Sequence, residues 1–219
     1  MRRNLLVLLA LTLAAAGVAG WLNTRGSNAA QLVTPSTADL ADAFQDGSVI
    51  GSAEAPVTVT VFVDLNQPAS KRVIEGVLPT AIRELVRTGK ARLALWVWPV
   101  MGANAVDSAS AAYAAQRQNR IWQFARIAVA NQGDPESFWD AAIARRIAVA
   151  SHLDVARFER DALSAAVNAQ LLQNVQTAVG IGLKMPPGYA LESRKGKRRL
   201  LPGDTTAAQL ATAVAAASS

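Results

Sequence analysis

The chain contains no cysteine and a single histidine among its 219 residues. Without a thiol there can be no disulfide, no thiolate metal site, no lipid-bearing cysteine and no thiol–disulfide exchange. One histidine also argues against a zinc centre, so neither a metal nor a cofactor is expected. Aromatic residues make up 5% and do not interleave with a basic stripe, which speaks against nucleic-acid binding. Acids are outnumbered, 16 against 22 basic residues, for a net charge of +6. Arg2, Arg3 and Arg25 lie in an N-terminal segment without acids; the remainder carries 19 minus 16, or +3, a mild balance.

What the chain does have is apolar surface, 51% of its residues, much of it alanine. That composition excludes disorder throughout and favours helices. After Met-Arg-Arg-Asn, Leu5 to Leu22 run 18 residues without a charge. A short basic stretch before such a run is an export signature. Two fates are open: cleavage after the small residues Val18-Ala19-Gly20, or retention as an anchor, since the run spans about 27 Å as a helix. Trp21 then suits the outer interface, and Arg2 and Arg3 keep the N-terminus cytoplasmic. Residues 1–22 are therefore assigned to a signal-anchor or signal peptide and 23–46 to a tether, with a short helix over Thr37 to Phe44 broken at Asp46-Gly47.

Val57 to Val63 is dominated by β-branched residues and reads as a strand. A helix follows from Ala69 to Thr88, opened by Pro68, kinked at Pro79 and stopped at Gly89. Ala91 to Val97 is a second strand, parallel to the first. Helices are expected over Asp107 to Gln118, Ile121 to Asn131, from Pro135 toward Ala150, Asp154 to Leu163 and Ala165 to Val179. A hairpin joins Tyr189–Glu192 to Lys197–Leu201, and Thr205 caps a final helix. The order is β-α-β, helical insertion, β-β-α, an α/β chain with a thioredoxin-like core: half-domains 47–103 and 181–219 flanking a helical insertion at 104–180.

At several points in this order the chain resembles the DsbA-like family of thiol–disulfide oxidoreductases. Gly51-Ser-Ala-Glu-Ala-Pro-Val57 leads into the first strand, Val77-Leu78-Pro79 lies in the helix, and Trp98-Pro99-Val100 closes the second strand. Gly182-Leu183-Lys184-Met185-Pro186-Pro187-Gly188 stands where the family has its cis-proline loop, with Pro187 as that proline. The family's strand ends in Asp-aromatic-x-Cys-Pro-x-Cys; here Asp64-Leu65-Asn66-Gln67-Pro68-Ala69-Ser70 puts Gln67 and Ser70 in the cysteine positions. Neither an amide nor an unactivated hydroxyl performs disulfide exchange, so the family's redox activities do not carry over. The resemblance implies instead a cell-envelope protein with a binding, scaffolding or chaperone-like role toward an envelope protein or peptide. Its domain would be periplasmic or extracytoplasmic.

For the individual residues, bland and functional readings stand side by side. Gln67-Pro68-Ala69-Ser70 is a relic helix start, a pair of ligand contacts through Gln67 or Ser70, or, with a base in reach, a serine nucleophile. The serine reading is the kappa-class glutathione transferase and isomerase alternative, whose first position Gln67 does not match. In the family, the residue before the cis-proline donates its N–H to bound peptide; Pro186 has none. Arg194, Lys195, Lys197, Arg198 and Arg199 put five cations in six positions, either a solvated turn or a contact for anionic lipid or an acidic partner. Lys71, Arg72, Arg145 and Arg146 read as surface charges, and Trp96, Trp98, Trp122, Phe138 and Trp139 as core. His152, the sole histidine, is placed as a helix cap.

Overall fold

The computed structural model describes residues 31–41, 43–134 and 138–218. Six strands form one sheet in the order β1-β2-β4-β3-β5-β6: β1 Gln45–Asp46, β2 Val49–Ile50, β3 Val57–Val63, β4 Arg92–Val97, β5 Gly188–Ser193 and β6 Arg198–Pro202. β3 and β4 are parallel, with Val59 opposite Leu93 and Val63 opposite Val97. β5 runs antiparallel to β3, and β6 to β5. Alternation along the strands decides the two faces. Val57, Val59, Val61 and Val63 join Leu93, Leu95, Val97, Tyr189 and Leu191 in the main core. Phe62, Trp98 and Ala190 form a smaller cluster on the other face with Ala178, and Trp96 packs against them, its ring edge-on to Phe62 at 5.4 Å.

The link between β3 and β4 is a helix, α1, over residues 68–86. Pro79 lies inside it. Lacking an N–H, it leaves a gap in the i→i−4 ladder, and the turn before it widens, so that Leu78 N–H reaches back to Val73 O. A second wide turn closes the helix over Ile82–Val86.

Between β4 and β5 lie α2 (Ala105–Gln116), α3 (Ile121–Ala130), α4 (Ala141–Ala150), α5 (Val155–Ala162) and α6 (Ala165–Gly180). α2 buries nearly all its small residues and packs among α3, α5 and α6. Tyr113 ties it to the sheet: its hydroxyl donates to Val97 O at 2.8 Å and accepts from Val97 N–H at 3.0 Å. Phe124, Trp139 and Phe158 form the aromatic centre of the insertion. The Trp122 indole donates to Ser48 O at 3.0 Å, joining α3 to the β1–β2 turn. α4 starts later than Pro135 suggests, because the Asp140 carboxylate accepts from Ile143 N–H and caps it there. His152, at φ 58°, ends α4 in a Schellman arrangement, with Leu153 N–H on Ala148 O and His152 N–H on Val149 O. The last helix is α7, Ala207–Ser218. Thr206, rather than Thr205, caps it: Gln209 N–H donates to Thr206 Oγ1 and Thr206 N–H to Gln209 Oε1, a reciprocal capping box.

The segment before β1 is docked. Asn131 brackets Val33, accepting its N–H at 2.8 Å and donating to its C=O at 2.7 Å. Arg126 pairs with both Asp39 carboxylate oxygens and donates to Ser36 O. Burial works against the charged Asp39, but Arg126, with help from Arg87, holds its carboxyl below the usual range. The helix expected over Thr37 to Phe44 is one short 3₁₀ turn at Ala38–Leu40, after which Gln45–Ile50 folds back as the β1–β2 hairpin. Leu5 to Leu22 lies outside the described residues. Among those described, no helix is long and apolar enough to cross a membrane.

Candidate functional site

β3 runs directly into Asp64. This carboxylate is fully buried and gathers three backbone amides: Oδ1 accepts Asn66 N–H at 2.9 Å, and Oδ2 accepts Val100 and Met101 N–H at 2.7 Å each. The loops leaving the parallel strands β3 and β4 are thereby pinned to each other. Burial pushes the Asp64 carboxyl above the ordinary range, and the three amide bonds offset this only in part.

Gln67 has extended backbone and precedes α1, with Pro68 at the first helical position. Gln67 O accepts from Ser70 N–H at 3.0 Å and Lys71 N–H at 3.2 Å, which starts the helix. The turn points the Ser70 side chain inward, where its relative exposure is 0%. Ser70 Oγ accepts Asp64 N–H at 2.9 Å and donates to Gln67 Oε1 at 3.1 Å. Gln67 is itself buried, and Gln132 from the end of α3 donates to Leu65 O and Gln67 O. The structure therefore brings Gln67 and Ser70 together, but as each other's partners. Asn66 beside them is 1% exposed, and neither its amide nitrogen nor its amide oxygen has a hydrogen-bond partner among the described residues.

The Pro186–Pro187 peptide bond is cis. Since Phe62 pairs with Gly188, Pro187 sits one residue beyond the last β3–β5 pair, at the end of the sheet where β3 passes into Asp64. Gly203, after β6, lies against this loop so closely that a Cβ there would fall 2.3 Å from Pro187 O. Around this end of the sheet Pro68, Val100 at 45% and Met185 at 59% are exposed.

The other residues singled out by sequence lie apart. His152 closes α4 in the insertion and supplies no base to Ser70, whose hydroxyl proton goes to Gln67. Lys71 reaches Ala130 O and Glu75, and Arg145 pairs with Glu159. In the basic hairpin Arg194 pairs with Glu54 at 2.6 Å and Arg198 with Glu192 at 3.2 Å, whereas Lys197 and Arg199 have no ion pair or hydrogen bond among the described residues. Sequence reasoning passed over Asp64 and Gln132. An acid directly after a strand of β-branched residues was the available signal for Asp64; nothing local marks Gln132, whose partners lie about 65 positions away in the chain.

A family model described as Thioredoxin matches residues 44–199. Among solved structures, a thioredoxin-like oxidoreductase from Silicibacter pomeroyi DSS-3 is 26% identical, with 84% of this chain and 98% of that chain covered and a TM-score of 0.64. BdbD from Bacillus subtilis, in its oxidised form, is 16% identical over 81% of this chain and 98% of that chain, with a TM-score of 0.67. DsbA of Chlamydia trachomatis is 16% identical over 77% of this chain and 90% of that chain, at 0.66. No curated protein matches the sequence.

Proposed function

We propose, from the premise that this chain belongs to the thioredoxin family, that it is a redox-inactive binding protein of the cell envelope. Its role is to hold a protein or peptide partner rather than to transform it. The observation that carries this reading is the state of Ser70: fully buried, its hydroxyl engaged by Asp64 N–H and by Gln67 Oε1. In a chain without cysteine, that bond replaces the dithiol by a closed internal contact. The same geometry disfavours the kappa-class glutathione transferase reading, because a serine that serves a bound thiolate must offer it a proton, and this one is committed to Gln67.

Apolar side chains stand outward at the carboxyl end of β3 and β4, with Lys184 exposed beside Met185. Pro68, Val100 and Met185 offer a surface for an apolar side chain or segment, and clefts at the carboxyl ends of parallel strands are the usual place for a ligand in an α/β sheet. Pro186 lacks the N–H that would pair with an extended peptide, so side-chain burial has to supply the affinity. The basic N-terminus followed by an apolar run supports an extracytoplasmic domain, anchored through residues 1–22 or released by cleavage there.

The test uses the full chain as bait for envelope proteins, beside Pro68→Asp and Met185→Asp. Both positions are exposed, so both variants keep the fold. A partner held by the unmodified chain and lost from both variants is the expected result. A partner set that both variants retain in full would overturn the reading, as would insulin reduction above background by the purified protein.

A further inference from the structure

The outer edge of β6 is open, and the ladder that forms it can be phased. Ser193 N–H donates to Lys197 O at 3.0 Å and Gly196 N–H to Ser193 O at 2.9 Å, closing a three-residue turn with Gly196 at φ 75°. Ser193 and Lys197 are therefore a hydrogen-bonded pair. With Leu191 opposite Arg199 and Tyr189 opposite Leu201, the backbone groups of Lys197, Arg199 and Leu201 face β5. Arg194 N–H on Pro56 O, at 3.1 Å, fixes the complementary phase between β5 and β3. The N–H and C=O of Arg198 and Leu200 consequently point away from the sheet, where no described strand lies beside them. An open cleft of about 580 Å³ lies between β6 and α7, lined by Arg199 and Leu201 on the strand, by Asp204 in the turn after it, and by Ala208, Gln209 and Thr212 on the helix, so that a cation and an acid stand at the two ends of the segment that bounds it.

We propose that this edge binds an acidic peptide segment in extended form, as a seventh strand. Arg198 and Leu200 supply two outward donors and two outward acceptors at the spacing a strand requires. A peptide residue opposite Arg199 shares its face and places a carboxylate against a guanidinium that has no partner among the described residues. The residue opposite Lys197, two positions away, takes a second carboxylate. Two positions the other way, opposite Leu201, a small apolar side chain enters the cavity against Ala208 and Thr212. The recognised pattern is acidic, any, acidic, any, apolar, along the peptide in either direction.

Charge selects the occupant. Cations on an edge strand deter edge-to-edge pairing, and here they are all of one sign. A second copy of this chain paired antiparallel through β6 would set Lys197, Arg198 and Arg199 against their equivalents, a like-charge arrangement that costs stability. An acidic strand meets the reverse condition. Anionic lipid would use the side chains but leave the outward ladder of Arg198 and Leu200 unpaired. The site is separate from Gln67–Ser70, and its failure would leave the reading of that segment untouched.

The experiment measures anisotropy of a fluorescent peptide carrying Asp-Thr-Asp-Thr-Val, against one carrying Lys-Thr-Lys-Thr-Val, on the full chain. The aspartate peptide is expected to bind and to weaken about tenfold or more when salt shortens the Debye length from about 10 Å to about 3 Å; the lysine peptide does not bind. Leu200→Pro deletes an outward N–H and leaves the β5 ladder intact, a change edge strands accept, and reduces binding about tenfold. Arg199→Gln with Lys197→Gln does the same. In the unmodified chain, amide exchange resolved by NMR slows at Arg198 and Leu200 when the aspartate peptide is added. Equal binding of both peptides overturns the proposal, as does binding without protection of those two amides. Phosphatidylglycerol vesicles that bind the chain while the aspartate peptide does not would assign the cations to lipid and overturn it as well.

Discussion

Two regions of this molecule handle polar groups in opposite ways. At the carboxyl end of β3 and β4 the polar groups of Asp64, Gln67 and Ser70 are turned inward and bonded to one another or to nearby backbone, and what faces out is Pro68, Val100 and Met185. At the edge of β6 the backbone of Arg198 and Leu200 faces out, and the flanking side chains are cations. The first region holds Gln67 and Ser70, which the resemblance sets at the cysteine positions, and here its polar groups hold the loops together. The second is peripheral to the fold and its charges hold little together. The buried polar groups of the first region act within the fold, while the charges and outward backbone of the second lie at its edge, so variants in the two regions report on different things.

The largest effect is expected at Asp64. Asp64→Ala leaves the buried N–H of Asn66 and the half-buried N–H groups of Val100 and Met101 without their acceptor, and should lower unfolding free energy by about 3 kcal/mol in urea titration. A loss below about 1 kcal/mol would mean that the carboxylate does not pin the loops.

A second change should alter chemistry more than stability. Gln67→Cys with Ser70→Cys replaces a side-chain pair already in contact, within a turn closed by Ser70 N–H on Gln67 O at 3.0 Å. A disulfide should form without rearrangement, since the turn brings both side chains together. The helix start beside residue 67 lowers its thiol pKa below the free value of about 8.5. Thiol titration after mild oxidation checks this; two persistent free thiols would show that the inward turn at residue 70 is not available to a thiol.

Acid titration gives a smaller and more specific signal. Burial raises the Asp64 pKa above that of the unfolded chain, so the folded state binds the proton more tightly. Its contribution to stability is therefore full below the ordinary carboxylate range and is lost as pH rises through the folded value. Asp39 has the opposite sign: held below its ordinary range beside Arg126, it stabilises above the unfolded pKa and loses this as pH falls through the folded one. Asp64→Asn should remove the first dependence and leave the second, which thermal melts across the acid range would separate. Curves of the two proteins that run parallel would exclude a titrating Asp64.

The smallest effect belongs to the other region. Glu192→Gln breaks the exposed pair with Arg198 and should change stability by no more than about 0.5 kcal/mol, while the carboxyl end of the sheet stays as it is. A loss several times larger would show that the β6 charges support the fold and that the contrast between the regions is overdrawn.

Much of the framework was legible because local patterns and tertiary packing agree. Val57–Val63 is β-branched except at Phe62 and forms a strand with those bounds; the second strand is shorter than read by one residue, Arg92–Val97. Helix ends were less legible. Thr205 and Thr206 are equally good caps by type, and Gln209, placed three residues after Thr206, decides between them. The β1–β2 hairpin escaped notice because two-residue strands carry no periodicity; its β2 pairing with Leu93 and Ala94 of β4 is a long-range choice. Pro79 reads as a kink in sequence; the structure shows that the turn before it widens, with Leu78 N–H on Val73 O, a rearrangement that no local pattern announces.

That the chain cannot exchange disulfides follows from composition alone, since no fold can supply a missing sulfur atom. The family was likewise legible in short motifs, because their order along the chain reflects an order of strands and helices that hydrophobic burial enforces. The direction in which Ser70 points is of a different kind. A serine at a helix start can face water or the interior at similar intrinsic cost, and it is the buried Asp64 N–H, brought there by β3, that draws the hydroxyl inward. The openness of the β6 edge was hidden for the same reason: whether a strand's outer N–H groups have partners depends on what else the sheet places beside them, and only the tertiary structure decides that.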